Sequence, residues 1–167
     1  MKIRANGGFS LIEMMIVCAL LGFIATVATP SFMTYRQNSN LREAAGDLSS
    51  DIALYRQRAV AENRGYQITF NQAANNYTVN IETPPGTGTY TALNPAVTKS
   101  PGAISSPVII SGITFIGTPP QIIIQPRGII SNLPPSGLGT VTLQHTTSSK
   151  TAVITTNLMG RINVQYP

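Results

Sequence analysis

The residues best placed to do chemistry stand near the start of the chain, in Gly7-Gly8-Phe9-Ser10-Leu11-Ile12-Glu13. Two small residues precede a long apolar run, and one acid lies just inside that run. An ordinary secretory signal carries its small-residue cleavage site after the apolar region. Here the site lies before it, so cutting after Gly8 removes a short leader, keeps the apolar segment and exposes the amine of Phe9. Glu13 is the anomaly. A carboxylate within a membrane span costs roughly 2.5–3.5 kcal/mol on insertion scales. The apolar run offers it no Lys, Arg or His, and the nearest candidate partner is the free amine of Phe9 on a neighbouring subunit. The alternative is a signal anchor that tolerates an acid near the membrane interface.

The element that must position these residues is the run from Phe9 to Thr29, in which Glu13 is the single charge. About 20 apolar residues span a bilayer core as a helix. Lys2 and Arg4 flank it on one side and should remain cytoplasmic, which puts the remainder of the chain outside. The one cysteine, Cys18, lies in the run, so no intrachain disulfide is available, and it reads as a small apolar side chain.

Few other residues suggest reaction chemistry. Charged residues make up only 10% of the 167, against about 25% in ordinary soluble domains, and the span accounts for part of the deficit. The formal charge is +5; loss of Lys2 and Arg4 lowers it to +3, too little to argue for a nucleic-acid partner. Beyond Arg64 the only acid is Glu82 and the only histidine is His145. A carboxylate pair for acid–base work cannot be assembled there, nor a usual His/Cys/Asp/Glu metal site, and no glycine-rich phosphate loop opens a helix. His145 reads as an ordinary strand residue. The expectation is a non-enzymatic chain with no catalytic residue, metal or cofactor.

After the span, Pro30 should kink or interrupt the helix, and Gly22 should loosen it. Leu41, Ala45, Leu48, Ile52, Tyr55 and Ala59 then recur at spacings of 4, 3, 4, 3 and 4, which is one face of a helix. Arg42, Glu43, Asp47, Asp51, Arg56, Arg58 and Glu62 occupy its charged face. Asn63 and Gly65 should end it, with Gly65 as the C-terminal cap. Tyr66–Phe70 and Tyr77–Ile81 alternate as a hairpin about a turn at 72–76. Residues 83–107, with Pro84, Pro85, Pro95, Pro101 and Pro107, read as a long surface loop. Short β-branched runs follow at 108–110, 113–116 and 121–125, with a turn at Pro126-Arg127-Gly128 and a loop at 134–139. Strands at 140–145, 151–156 and 161–166 complete the chain. The expected fold class is α+β: a long N-terminal helix, half span and half amphipathic, packed on one or two antiparallel sheets.

Two sets of residues carry a family resemblance. Gly8-Phe9-Ser10-Leu11-Ile12-Glu13 resembles the signal of type IV prepilins and type II secretion pseudopilins. That resemblance implies cleavage between Gly8 and Phe9 by a prepilin peptidase, N-methylation of Phe9, and a role for Glu13 in docking during assembly. Ala59-Val60-Ala61-Glu62-Asn63-Arg64 before Tyr66-Gln67-Ile68-Thr69-Phe70, together with Pro126-Arg127-Gly128 and Gly160-Arg161-Ile162, is similar to the H-type (GspH) minor pseudopilins and the FimT/FimU minor pilins. The type IV pilin fold is thereby implied. The segments are a leader at 1–8, a membrane or filament-core helix at 9–29, an amphipathic half at 30–64 and a β-rich head at 65–167. The implied partners are the peptidase, other pilin or pseudopilin subunits, the inner-membrane assembly platform and the membrane itself, with the head in the periplasm. FimT-type proteins that bind DNA in natural transformation carry Gly-Arg-x-Arg near the C-terminus. Here Asn163 replaces the second arginine, which weakens the electrostatic term of DNA binding. DNA contact through Arg161, Lys150 and Arg127 is the alternative function.

Overall fold

The computed structural model describes residues 9–102 and 107–166, apart from the side chain of Val27. The chain divides into two compact units, the first ending at Arg36 and the second running from Gln37. Helix α1 is Leu11–Glu62.

In the first unit α1 is apolar and its large side chains, from Leu11 to Tyr35, are solvent-exposed. By length and composition it is the one helix among the described residues able to cross a membrane. The helix runs through Gly22 and Pro30 without a break, so of the kink or interruption expected at Pro30 the interruption is not found. Pro30 removes a single amide donor, and threonine hydroxyls nearby bond back to helix carbonyls. Thr26 donates to Phe23 O at 2.7 Å, Thr29 to Ala25 O at 2.6 Å and Thr34 to Pro30 O at 3.1 Å.

In the second unit the 3.6-residue period holds as read. Leu41, Ala45, Leu48, Ile52, Tyr55 and Ala59 are all buried, with Ala44 beside them. The C-terminal stop differs from expectation. Asn63, not Gly65, takes the left-handed conformation (φ 49°), and the Arg64 amide donates to Ala59 O at 3.1 Å. That six-to-one bond over a left-handed Asn satisfies an orphan carbonyl. Gly65 is required for a different reason: a Cβ there would come within 2.8 Å of Glu82 Oε2.

The strands are β1 (Tyr66–Asn71), β2 (Asn76–Glu82), β3 (Tyr90–Lys99), β4 (Val108–Ile113), β5 (Gln121–Ile124), β6 (Ile130–Ser131), β7 (Leu138–His145), β8 (Thr151–Asn157) and β9 (Ile162–Gln165). They form two antiparallel sheets, ordered β3-β2-β1-β5-β6 and β4-β7-β8-β9. Alternation works because each sheet buries one face: Tyr66, Ile68 and Phe70 in β1, and Val141, Leu143, Ala152 and Ile154 in β7 and β8. These inner faces and the apolar stripe of α1 make one core. Phe115 fills it where Gly139 leaves room; a Cβ on Gly139 would collide with its ring.

The expected loop at 83–107 contains β3, the edge strand of its sheet. Its pairing with β2 jumps from Ala92 to Val97 between Asn80 and Val79. Leu93 to Ala96 therefore bulge out, and Pro95 lies where no ladder amide is needed. Two smaller differences follow the same logic. Residues 114–116 leave β4, held by single bonds from Thr114 N to Thr140 O and Ile116 N to Asn132 O. β6 is too short to give a periodic signal.

Candidate assembly segment and head surface

Glu13 stands in the first turn of α1, three residues after Ser10, whose carbonyl accepts the Met14 amide at 3.2 Å. A carboxylate there faces the positive end of the helix dipole, a stabilising contact of about 0.3–1 kcal/mol. This offsets only part of the cost of carrying an acid into an apolar phase. Phe9 is 78% exposed, with Leu11, Ile12, Met14 and Met15 around it. Gly8, with Lys2, Arg4 and the rest of residues 1–8, lies outside the described residues.

The head disperses the residues expected to contact DNA. Lys150 donates to Asn38 Oδ1 at 2.8 Å. Arg127 and Arg161 are exposed on turns at the other end of the helical stripe, each next in sequence to a glycine that packs on Arg56. Asn38 and Arg56 are separated by about 27 Å along a helix rising 1.5 Å per residue. The three cations therefore do not form one patch.

Arg56 is the residue that sequence reasoning misplaced. The sequence puts it on the charged face of the helix, yet its side chain lies between two glycine turns, one from each sheet. Its Nε donates to Gly128 O at 2.9 Å. A Cβ on Gly160 would fall 2.4 Å from the same Nε, and one on Gly128 3.4 Å from it. Both glycines have positive φ, 75° and 72°. Ile130 N donates to Leu158 O at 2.9 Å and joins the two turns directly. The Pro126-Arg127-Gly128 and Gly160-Arg161 turns thus meet at one arginine of α1.

Asp51 was likewise expected on the charged face and is buried. It accepts the Tyr77 hydroxyl and the Lys99 ammonium, each at 2.7 Å. Burial, followed by that bond to Asp51, pushes the Tyr77 phenol well above its ordinary value. The trio lies on a cleft of 580 Å³ lined also by Ala44, Asp47 and Pro101. Glu82 is buried too. It accepts the Gly88 amide at 2.7 Å and the Gly65 amide at 3.0 Å. The Gly88 amide above all holds its carboxyl below the usual range, against the opposing effect of burial. His145 is buried at the end of β7, where Nδ1 accepts the Thr147 and Ser148 amides at 3.2 and 3.3 Å. Its acceptor nitrogen is thereby occupied by a turn, and burial lowers its pKa. Among the described residues no three His, Cys, Asp or Glu side chains converge on a metal-sized site.

A long apolar-to-amphipathic helix closing on antiparallel sheets defines the pilin-fold class of filament-type proteins. Solved structures agree. The minor pseudopilin EpsH of the Vibrio cholerae type 2 secretion system matches with a TM-score of 0.58 and 9% identity, covering 77% of this chain and 98% of that one. The Pseudomonas aeruginosa type IV minor pilin FimU matches at 0.54 and 12%, covering 78% and 92%. Residues 3–29 match the prokaryotic N-terminal methylation motif, and residues 44–160 match the type II transport protein GspH family. The chain belongs to that family. Over 57 residues, 31% of the chain, it is similar to the type IV major alpha-pilin of Moraxella bovis at 38% identity. It is similar also to the type IV major pilin PilA of Myxococcus xanthus, 42% over 45 residues. The chain spans 36% and 20% of the length of those two relatives.

Proposed function

We propose that this chain is a minor pilin or pseudopilin. It is a structural subunit stored in the bacterial inner membrane, trimmed by a prepilin peptidase between Gly8 and Phe9, and N-methylated at Phe9. It then enters, or initiates, a type IV pilus or type II secretion pseudopilus through an inner-membrane assembly platform. Residues 1–8 act as the leader, 9–29 as the span and later the filament-core helix, 30–64 as its amphipathic half and 65–167 as the periplasmic head. The observation that carries this reading is the exposed apolar first part of α1, whose single acid, Glu13, stands in the first turn beside Phe9. In a bundle of such helices the amine of a neighbour's Phe9 neutralises Glu13, because a buried charge needs a partner. The role is structural rather than catalytic.

N-terminal mass spectrometry of the protein from its native host tests the processing step. The expected species begins with methylated Phe9; retention of Met1–Gly8 refutes the reading. Glu13→Ala should leave the head folded but abolish incorporation into filaments, and wild-type incorporation would sink the charge-pairing idea. DNA binding has weaker support, since Lys150 is committed to Asn38 and lies far from Arg127 and Arg161.

A further inference from the structure

The end of the head where the two sheets meet α1 has a second character besides charge. Four of the exposed large apolar side chains gather there. Leu158 and Met159 form the tip of the turn between β8 and β9, and Val60 Cγ2 lies against Gly128. Leu138 precedes Gly139 opposite Asn157, at the base of that turn. They are between 48 and 68% exposed. Arg56 packs on Gly128 and Gly160 among them, and the exposed Arg127 and Arg161 are the chain neighbours of those glycines.

Three acids have partners of their own. Asp51 holds Lys99 and Tyr77, Glu62 accepts the Tyr66 hydroxyl at 2.6 Å, and Glu82 accepts backbone amides. Glu43 and Asp47 lie about 20 and 14 Å back along the helix from Arg56. Glu62, two residues from Val60 and about 9 Å along the helix from Arg56, is the acid close by, and Arg56, Arg127 and Arg161 outnumber it, so the patch is net positive.

Resting on the filament reading, the geometry points to this face as the docking surface for the head of a different filament subunit, one presenting a carboxylate flanked by apolar side chains. Three features favour a protein partner of that chemistry. Arginine and methionine beside apolar groups are the composition of interface centres. The Arg56 side chain is already held by Gly128 O, so little ordering entropy is lost on binding. Nucleic acid fits poorly, since the patch has no aromatic platform for base stacking, and its apolar tip gains nothing from a phosphate backbone.

The full-length chain is expressed in its host with p-benzoylphenylalanine in place of Met159 and, as a control, of Ile109. The control lies near His145, at the opposite end of β7 from Leu138. After irradiation, filaments are sheared off and the adducts mapped by mass spectrometry. The expected adduct at 159 joins another pilin-like subunit beside an Asp or Glu, and none forms at 109. R127E/R161E should lower its yield by about tenfold or more, because like charges now face each other. An Arg substituted for the mapped acid of the partner should restore the yield, which a folding defect would not allow. Incorporation without an adduct at 159, an adduct indifferent to charge reversal, or an adduct to nucleic acid overturns the docking proposal and leaves the filament reading intact. Absence of the chain from sheared filaments overturns both.

Discussion

Gly160→Ala tests the arginine-centred junction directly. Gly160 has a φ of 72°, and forcing an L-residue into the left-handed region costs about 1–2 kcal/mol. The new methyl would also lie 2.4 Å from Arg56 Nε. The arginine arm must move, and its bond to Gly128 O is lost. Hydrogen bonds to charged donors are worth about 1.5–3 kcal/mol, and half-burial places this one at the lower end. The expected destabilisation is about 2.5–3.5 kcal/mol, a large part of the 5–15 kcal/mol typical of a domain. The assay is urea unfolding by circular dichroism of the head beginning at Gln37, since the buried core starts at Leu41. A double-mutant cycle with Arg56→Ala separates the terms. Without the arginine the clash is gone, and Gly160→Ala should cost only the backbone strain, leaving a coupling of about 1–2 kcal/mol. Additivity within about 0.5 kcal/mol would refute the claim that Gly160 is small because Arg56 lies against it.

Other outcomes follow from the buried polar groups. Glu82→Gln should destabilise the head by about 1–3 kcal/mol at neutral pH, because a charged acceptor of amides is lost. Its carboxyl titrates below the unfolded value of 4.5, so its contribution is fully present above pH 4.5 and drains away as pH falls through the folded value. The wild type should lose stability in that acid window and Glu82→Gln should lose less, as read by urea midpoints. His145, held neutral by burial, adds stability that is complete above 6.5 and is lost on further acidification. Nitrogen NMR should find its proton on Nε2, with Nδ1 accepting; protonated Nδ1 at neutral pH would contradict the structure. Tyr77→Phe should cost about 1–2 kcal/mol by leaving Asp51 short of a donor. In a spectrophotometric titration the phenol of Tyr66, raised to about 12 chiefly by burial, should remain protonated at pH values that ionise a free tyrosine of 10.0.

The periodic parts of this fold were legible because burial on one face leaves a regular trace. The stripe from Leu41 to Ala59 and the alternation in β1, β2, β7 and β8 were readable for that reason. β3 was hidden because an edge strand with a bulge at Pro95 buries little and tolerates turn-forming residues. The buried charges were not readable either. Asp51 and Arg56 occupy helix positions that look solvated until Tyr77, Lys99, Gly128 and Gly160 arrive from strands and turns far away in sequence. The same limit applies to Gly65, whose smallness serves Glu82 rather than the helix end. At the N-terminus the motif around Gly8, Phe9 and Glu13 is local in sequence, so the motif itself was recognisable without tertiary structure.

The edges of the two sheets bear on how such a head survives crowding. β3 exposes one margin of its sheet, yet Pro95 and the bulge at Leu93–Ala96 deny an incoming strand a continuous ladder. β4 borders the other sheet, and the side chain of Asn75 covers part of it, donating to Val108 O at 3.0 Å and accepting the Ile110 amide at 2.9 Å. Edges blunted in this way resist runaway strand addition. At these two margins, neighbouring heads brought to high local concentration would meet through side chains and not by strand addition.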